Sequence, residues 1–177
     1  RVAFDICPVN FILNYLALKE GLPFDKNGEL SKKGNVNKKL FNQLNNLQFY
    51  KQKPPKSLGK EWTDTRFFPI IKKSGLSVQD KLRTACEHIA IQIADATPAT
   101  GKILVTGGGA FNTFLIDRIK KHSPAEIFIP EKMIVDYKEA LIFAFLGLLR
   151  QLGEINCYAT VTGAKKDSSS GVLFPGV

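Results

Sequence analysis

The 177-residue sequence is poor in three residue types, with three cysteines, one methionine and one tryptophan, and its longest apolar run is Ala140–Leu149. That run is about half of the roughly 20 residues a membrane-spanning helix needs, and no basic-then-apolar leader opens the sequence. A cytoplasmic protein with no membrane partner is expected. Cys7, Cys86 and Cys157 are odd in number, far apart and form no Cys-x-x-Cys pair. Neither a disulfide framework nor a zinc site is indicated, so reduced thiols are expected. His88 and His122 have no partners at metal-ligand spacing, and both read as ordinary helix and surface residues; no metal ligands are assigned.

Arginine is also missing between Val2 and Thr65, although the chain carries 25 Lys+Arg against 16 Asp+Glu, a net charge of +9. The excess sits largely between Lys26 and Lys60, where nine lysines are opposed only by Glu29 among many asparagines. Nucleic-acid readers interleave such lysines with arginines, which pair bidentately with guanine, and with stacking aromatics. Their absence favours a solvated lysine surface or an anion-attracting rim, and no nucleic-acid partner is expected. A hydrophobic fraction of 44% with 23% charged residues is the profile of a folded chain, and the length suits one domain.

What is present alternates between strand and helix patterns. Arg1–Ile6 reads as a strand that starts without an initiator Met, as though the chain were entered partway through. Asn10–Lys19 reads as a mostly buried helix closed by Gly21. Residues 21–76 are rich in Lys and Asn, with a short helical pattern at Val36–Leu47 and a stop at Pro54-Pro55, and read as an insertion rather than core. Ser77 and Asp80 form a capping box for a long helix to about Ala96. Lys102–Thr106 is a strand, Gly107–Gly109 a turn, Ala110–Lys121 a helix and Ala125–Ile129 a strand. Asp136-x-x-Glu139 reads as the cap of a strongly apolar helix to about Arg150. Such alternation predicts an α/β fold, a mixed, mostly parallel sheet covered by helices.

Two places look chemical. Val105-Thr106-Gly107-Gly108-Gly109-Ala110-Phe111-Asn112 is a glycine bend between strand and helix, where backbone can approach a ligand and free N–H groups face it. It is not a Walker motif, and it departs from Gly-x-Gly-x-x-Gly at Asn112, so a nucleotide site and a plain tight turn both remain open. Asp5 ends the first strand at the ligand-binding edge of such a sheet, where it is either a general base or the cap of the following helix. Glu139 has the same ambiguity. Cys7 lacks any neighbouring base or cation in sequence that would activate it as a nucleophile.

In order along the chain these residues resemble the anhydro-N-acetylmuramic acid kinases, of the actin, hexokinase and heat-shock ATPase superfamily. Phe4-Asp5 with Pro8 and Asn10 match the family's Phe-Asp-Thr-Gly-Pro-Gly-Asn. Phe24-Asp25-x-x-Gly28, Pro54-Pro55-Lys56-Ser57-x-Gly59-x-Glu61, Gly107-Gly108-Gly109-Ala110-x-Asn112, Glu139-Ala140 and Val161-Thr162-Gly163-Ala164 follow. The triple glycine alone is weakly specific, whereas the ordered set is much more so. Departures are Ile6-Cys7-Pro8-Val9 for Thr-Gly-Pro-Gly, and Leu58 and Lys60 for Thr and Arg.

The resemblance implies a ribonuclease-H-like, actin-like ATPase domain covering 1–177, the C-terminal half of a two-domain enzyme whose first domain is absent here. It implies ATP and Mg²⁺ as cofactors, an anhydro-amino-sugar substrate and a homodimer. Such enzymes open the 1,6-anhydro bridge with water and phosphorylate O6, giving N-acetylmuramic acid 6-phosphate in murein recycling. Asp5 matches the catalytic base; Gly107, Gly108, Gly109, Ala110 and Asn112 match the adenosine-contacting motif. Asn10 and Glu139 are candidate substrate or loop residues. The isolated half is expected not to turn over. Two rivals are an inert binding module of the same fold, which would not hold ATP, and a basic nucleic-acid-binding domain, whose affinity would fall steeply with salt.

Overall fold

The computed structural model describes residues 1–174. Its core forms around α6 (Val78–Ala96), whose start is fixed by the Ser77 Oγ accepting from the Asp80 N–H at 3.1 Å. Asp80 does not reach back to complete the box; its carboxylate accepts from the Asn35 N–H at 2.7 Å and ties the lysine-rich segment to the helix. Leu82, Ala85, Cys86, Ile89 and Ala90 are buried along one side of α6.

Four earlier pieces pack around it. The first, α1 (Asn10–Ala17), buries Ile12, Leu13 and Leu16 and passes through a 3₁₀ turn to a left-handed Gly21. The second, α2 (Glu29–Lys33), is short, and the third, α3 (Lys38–Asn45), is capped by Asn37 Oδ1 on the Leu40 N–H. Finally α4 (Lys60–Trp62) runs through a π turn at Thr63–Phe67 into α5 (Phe68–Lys73). Leu40, Leu44, Phe67, Phe68 and Ile71 belong to the same buried cluster as α1 and α6. The expectation that residues 21–76 lie outside the core is therefore corrected. Lysines occupy the outward positions while isolated leucines and phenylalanines at helical spacing point in.

The sheet is smaller than the alternation predicted. β1 (Lys102–Leu104) pairs in parallel with β2 (Glu126–Phe128), Ile103 opposite Ile127, with α7 (Thr113–His122) as the crossover. The α/β character stands, but two strands do not amount to the larger mixed sheet. Arg1–Ile6 is not a strand. Its one backbone link to the next segment is the Asp5 N–H donating to Lys56 O at 2.9 Å, and alternation without a paired neighbour makes no ladder.

The remaining helices are α8 (Lys132–Gln151) and α9 (Ala159–Thr162). Asp136 and Glu139 do not cap α8, which begins a turn earlier, directly after Pro130-Glu131; Lys132 instead pairs with Asp136 one turn on. Val135 is its one buried residue, while Met133, Tyr137, Leu141, Phe143 and Phe145 are each more than half exposed. Among the described residues no helix is long and apolar enough to cross a membrane.

Candidate functional site

The glycine bend follows β1. Val105 N–H still donates to Phe128 O, extending the ladder, and Gly107 then takes φ 81°, ψ 174°, a conformation essentially restricted to glycine. A 3₁₀ turn over Gly108–Phe111 replaces the start expected for the helix at Ala110, and Asn112 Oδ1 caps α7 on the Leu115 N–H at 3.1 Å. Asn10, the first residue of α1, lies against this turn. A Cβ on Gly108 would stand 3.5 Å from its Nδ2, and one on Gly109 3.4 Å from its Oδ1. Asn10, a candidate substrate or loop residue in the sequence, is thus brought against Gly108 and Gly109 and lines one cavity with Asn112, while Ala110 is buried.

A cavity of about 400 Å³ opens beside the turn, lined among others by Asn10, Asn14, Phe24, Asn27, Phe111 and Asn112. Its outer wall is the Phe24–Gly28 loop, a motif seen in the sequence but given no role there. Asp25 is buried and accepts from the Leu30 N–H at 2.7 Å, the Ser31 N–H at 3.0 Å and the Ser31 hydroxyl at 2.6 Å, so it locks the loop onto α2. Gly28, at φ 71°, lies where any Cβ would collide with α7, 2.3 Å from the Phe114 Cβ and 2.8 Å from Asn112 Oδ1. The Thr113 hydroxyl donates to Asn27 O at 3.3 Å and closes the seam. Apolar rings above a rim of side-chain amides suit a flat heterocycle with donors and acceptors on its edge.

Asp5 lies in a second cavity, of about 360 Å³, with Cys7, Pro8, Phe11, Lys60 and Thr63 on its walls. It does not cap α1, whose N-cap is Val9. Its Oδ2 accepts instead from the Leu58 N–H at 2.7 Å and the Ser57 hydroxyl at 3.0 Å. Neighbouring Cys7 has its thiol pushed up to about 12 by burial, with Lys56 opposing only in part, so it is a neutral packing group and not a nucleophile. Glu139 is exposed on α8 and lines neither cavity. Next to it, the Lys138 ammonium reaches the Thr106 hydroxyl at 2.6 Å.

The histidines are more engaged than their spacing indicated. His88 is fully buried between Asn45 Oδ1 and the Tyr50 hydroxyl, each 2.9 Å from a ring nitrogen, and burial pushes its pKa down to about 3. His122 shares Glu87 with Arg118, which binds it bidentately at 2.7 Å and 2.7 Å, joining α6 to α7. Burial alone would raise Glu87; its bonds to Arg118 and His122 outweigh that and hold it below the usual carboxylate range. Neither histidine lines either cavity, and both clusters tie helices together in the core. Among the described residues no three His, Cys, Asp or Glu side chains gather as a metal site.

A parallel strand ending in a glycine bend, a capped helix behind it and a cavity beside the bend make this an α/β domain with a candidate ligand site at a strand end. Within that class its affiliation is specific: the chain belongs to the anhydro-N-acetylmuramic acid kinase family, whose model matches residues 1–176. The anhydro-N-acetylmuramic acid kinase of Haemophilus influenzae is 32% identical over 195 residues, covering 98% of this chain and 51% of its own length. That of Pseudomonas syringae pv. syringae is 34% identical, covering 97% and 50%, and that of Caldanaerobacter subterraneus subsp. tengcongensis 30% identical, covering 93% and 46%. The chain spans about half the length of the curated relatives it matches.

Proposed function

We propose that residues 1–177 form the second, C-terminal half of an ATP-dependent kinase of ribonuclease-H-like fold, acting in the cytoplasm. It would open 1,6-anhydro-N-acetylmuramic acid with water and phosphorylate O6. The observation that carries this reading is the pairing of an oriented carboxylate, Asp5, with a glycine-turn cavity across the first turn of one helix, α1.

Asp5 accepts a proton from the water that attacks the anomeric carbon. The bond from that carbon to O6 breaks, and O6 takes the phosphoryl group, so ring opening and transfer share one base. When bound, ATP would supply the γ-phosphoryl group, and Mg²⁺, which takes most of its ligands from phosphates and water in such sites, would neutralise the charge. Gly107–Gly109 and Asn112 would hold the adenosine with backbone and amide, with Phe24, Asn14 and Asn27 on the other walls of the same cavity. Asn10 holds the turn from the α1 side.

The remaining contacts come from the other half of the enzyme. The exposed side chains of α8 form an apolar surface of the kind that marks an interface. We assign it to that other half, the relatives being about twice as long.

The test is turnover of the longest polypeptide containing this chain, with ATP, Mg²⁺ and 1,6-anhydro-N-acetylmuramic acid in ¹⁸O-labelled water. A sugar phosphate with one labelled oxygen, lost in Asp5→Asn, is expected. ATP binding with no sugar product would mean that Ile6-Cys7-Pro8-Val9, in place of the glycine loop, has changed or ended the chemistry, whereas no ATP binding would favour the inert module.

A further inference from the structure

The segment 54–59 has no role in the function above, yet among the described residues it supplies the hydrogen bonds to the Asp5 carboxylate. We infer that Ser57 and the Leu58 N–H form a positioning clamp that selects which oxygen of Asp5 works as the base. The inference rests on the reading of Asp5 given above.

Asp5 is exposed on a stretch without secondary structure, where a free carboxylate would sample several rotamers. Two bonds to the carboxylate prevent this, and a third fixes the backbone beneath it. The Asp5 N–H donates to Lys56 O at 2.9 Å, while Ser57 and Leu58, the next two residues, both donate to Oδ2. The clamp is itself anchored in the core. The Lys56 ammonium bonds Phe49 O at 3.3 Å and lies 4.5 Å from the centre of the buried Phe49 ring, which packs on Trp62. Asp5 therefore takes its orientation from the core and not from its own irregular segment.

The chemistry of the carboxylate then separates its oxygens. Oδ2 has two lone pairs and two donors, so it has no room for a proton. Oδ1 has no partner among the described residues, and the incoming proton goes there. Once Oδ1 is protonated, Oδ2 becomes the carbonyl oxygen, which still accepts both bonds. The clamp thus holds through the transfer and needs no rearrangement at the moment of reaction. Ser57 is a positioning residue; it acts through Asp5 and contacts no substrate.

The experiment is steady-state kinetics of the full-length enzyme with Ser57→Ala, Ser57→Thr and Asp5→Asn. Loss of one charge-assisted bond, with Leu58 still in place, is expected to lower kcat about tenfold in Ser57→Ala. KM for the sugar and for ATP should stay within about twofold, and the melting temperature should not change, because Ser57 is exposed. Ser57→Thr, which keeps the hydroxyl, should return kcat to within about threefold of wild type. If Asp5→Asn abolishes turnover while Ser57→Ala stays within about twofold of wild type, the clamp is wrong and the base stands. A Ser57→Ala variant that loses melting temperature and KM together, or a Ser57→Thr variant as slow as Ser57→Ala, also overturns the clamp. Full turnover in Asp5→Asn, or none in wild type, removes the reading of Asp5 and the clamp with it.

Discussion

Gly28→Ala is the most informative single change to the cavity, because two separate costs meet at one atom. Gly28 has φ 71°, and an L-residue in the left-handed region costs about 1–2 kcal/mol. The new methyl would also stand 2.3 Å from the Phe114 Cβ, which cannot yield without moving α7, and 2.8 Å from Asn112 Oδ1, which can yield only by giving up its cap on the Leu115 N–H. Overpacking of that kind costs roughly 1–3 kcal/mol, so the expected loss is about 2–5 kcal/mol. Out of a typical total of 5–15 kcal/mol this is readily measured by urea denaturation followed by far-ultraviolet circular dichroism. Gly21→Ala is the control. Its φ is 75°, but nothing lies within 4 Å of the added carbon, so it should show only the backbone part, about 1–2 kcal/mol. Because Asn112 is pushed as well, ADP titrated into Gly28→Ala should bind more weakly than into Gly21→Ala. If the two variants are equally stable to within about 0.5 kcal/mol, the packing of the Phe24–Gly28 loop on α7 is not as described.

Three further outcomes follow from the same structure. Phe24→Ala should weaken ADP binding by roughly tenfold in isothermal titration, with pyrophosphate affinity unchanged, because stacking acts on the base and not on the phosphates. Stability should fall as pH drops below about 6.5, since unfolded His88 takes up a proton there while the folded residue, held down to about 3 by burial, does not. The slope is about 1.4 kcal/mol per pH unit, continuing toward pH 3 with Glu87 adding loss in the acid range. His88→Gln should flatten the slope between pH 6 and 5 in denaturation curves. Phe143→Glu on α8 should improve the solubility of the isolated chain and abolish turnover of the full-length enzyme; unchanged turnover would mean that this face is not covered by the other half.

Local signals were read well wherever a short stretch determines its own structure. Ser77 announces α6, Gly21 closes α1 and the glycine bend lies between strand and helix as its residues require. Elements that depend on a distant neighbour were not legible. Arg1–Ile6 alternates as a strand does, but strands exist only in pairs, and no pattern within the segment reveals whether a partner is there. Leu40, Leu44 and Phe67 were hidden by the lysines around them, because average polarity conceals a single inward face. The false cap at Asp136-x-x-Glu139 arose because a cap-like spacing inside a helix looks the same as one at its start, and Pro130 was the better boundary signal. The Lys56-Ser57 motif was visible, but its partner lies 52 residues away, and only the folded chain brings Ser57 to Asp5.

Consecutive residues of α1 face different cavities: Asn10 the glycine turn, Phe11 the cavity of Asp5. Successive residues on a helix are turned by about 100°, so the stretch Ile6-Cys7-Pro8-Val9 works as a phase-setting spacer between the carboxylate and the helix. Four residues separate Asp5 from Asn10. One residue more or fewer would turn Asn10 away from the glycines and put another side chain in its place. Insertions and deletions here should therefore be far less tolerated than substitutions, although the stretch has no regular secondary structure of its own.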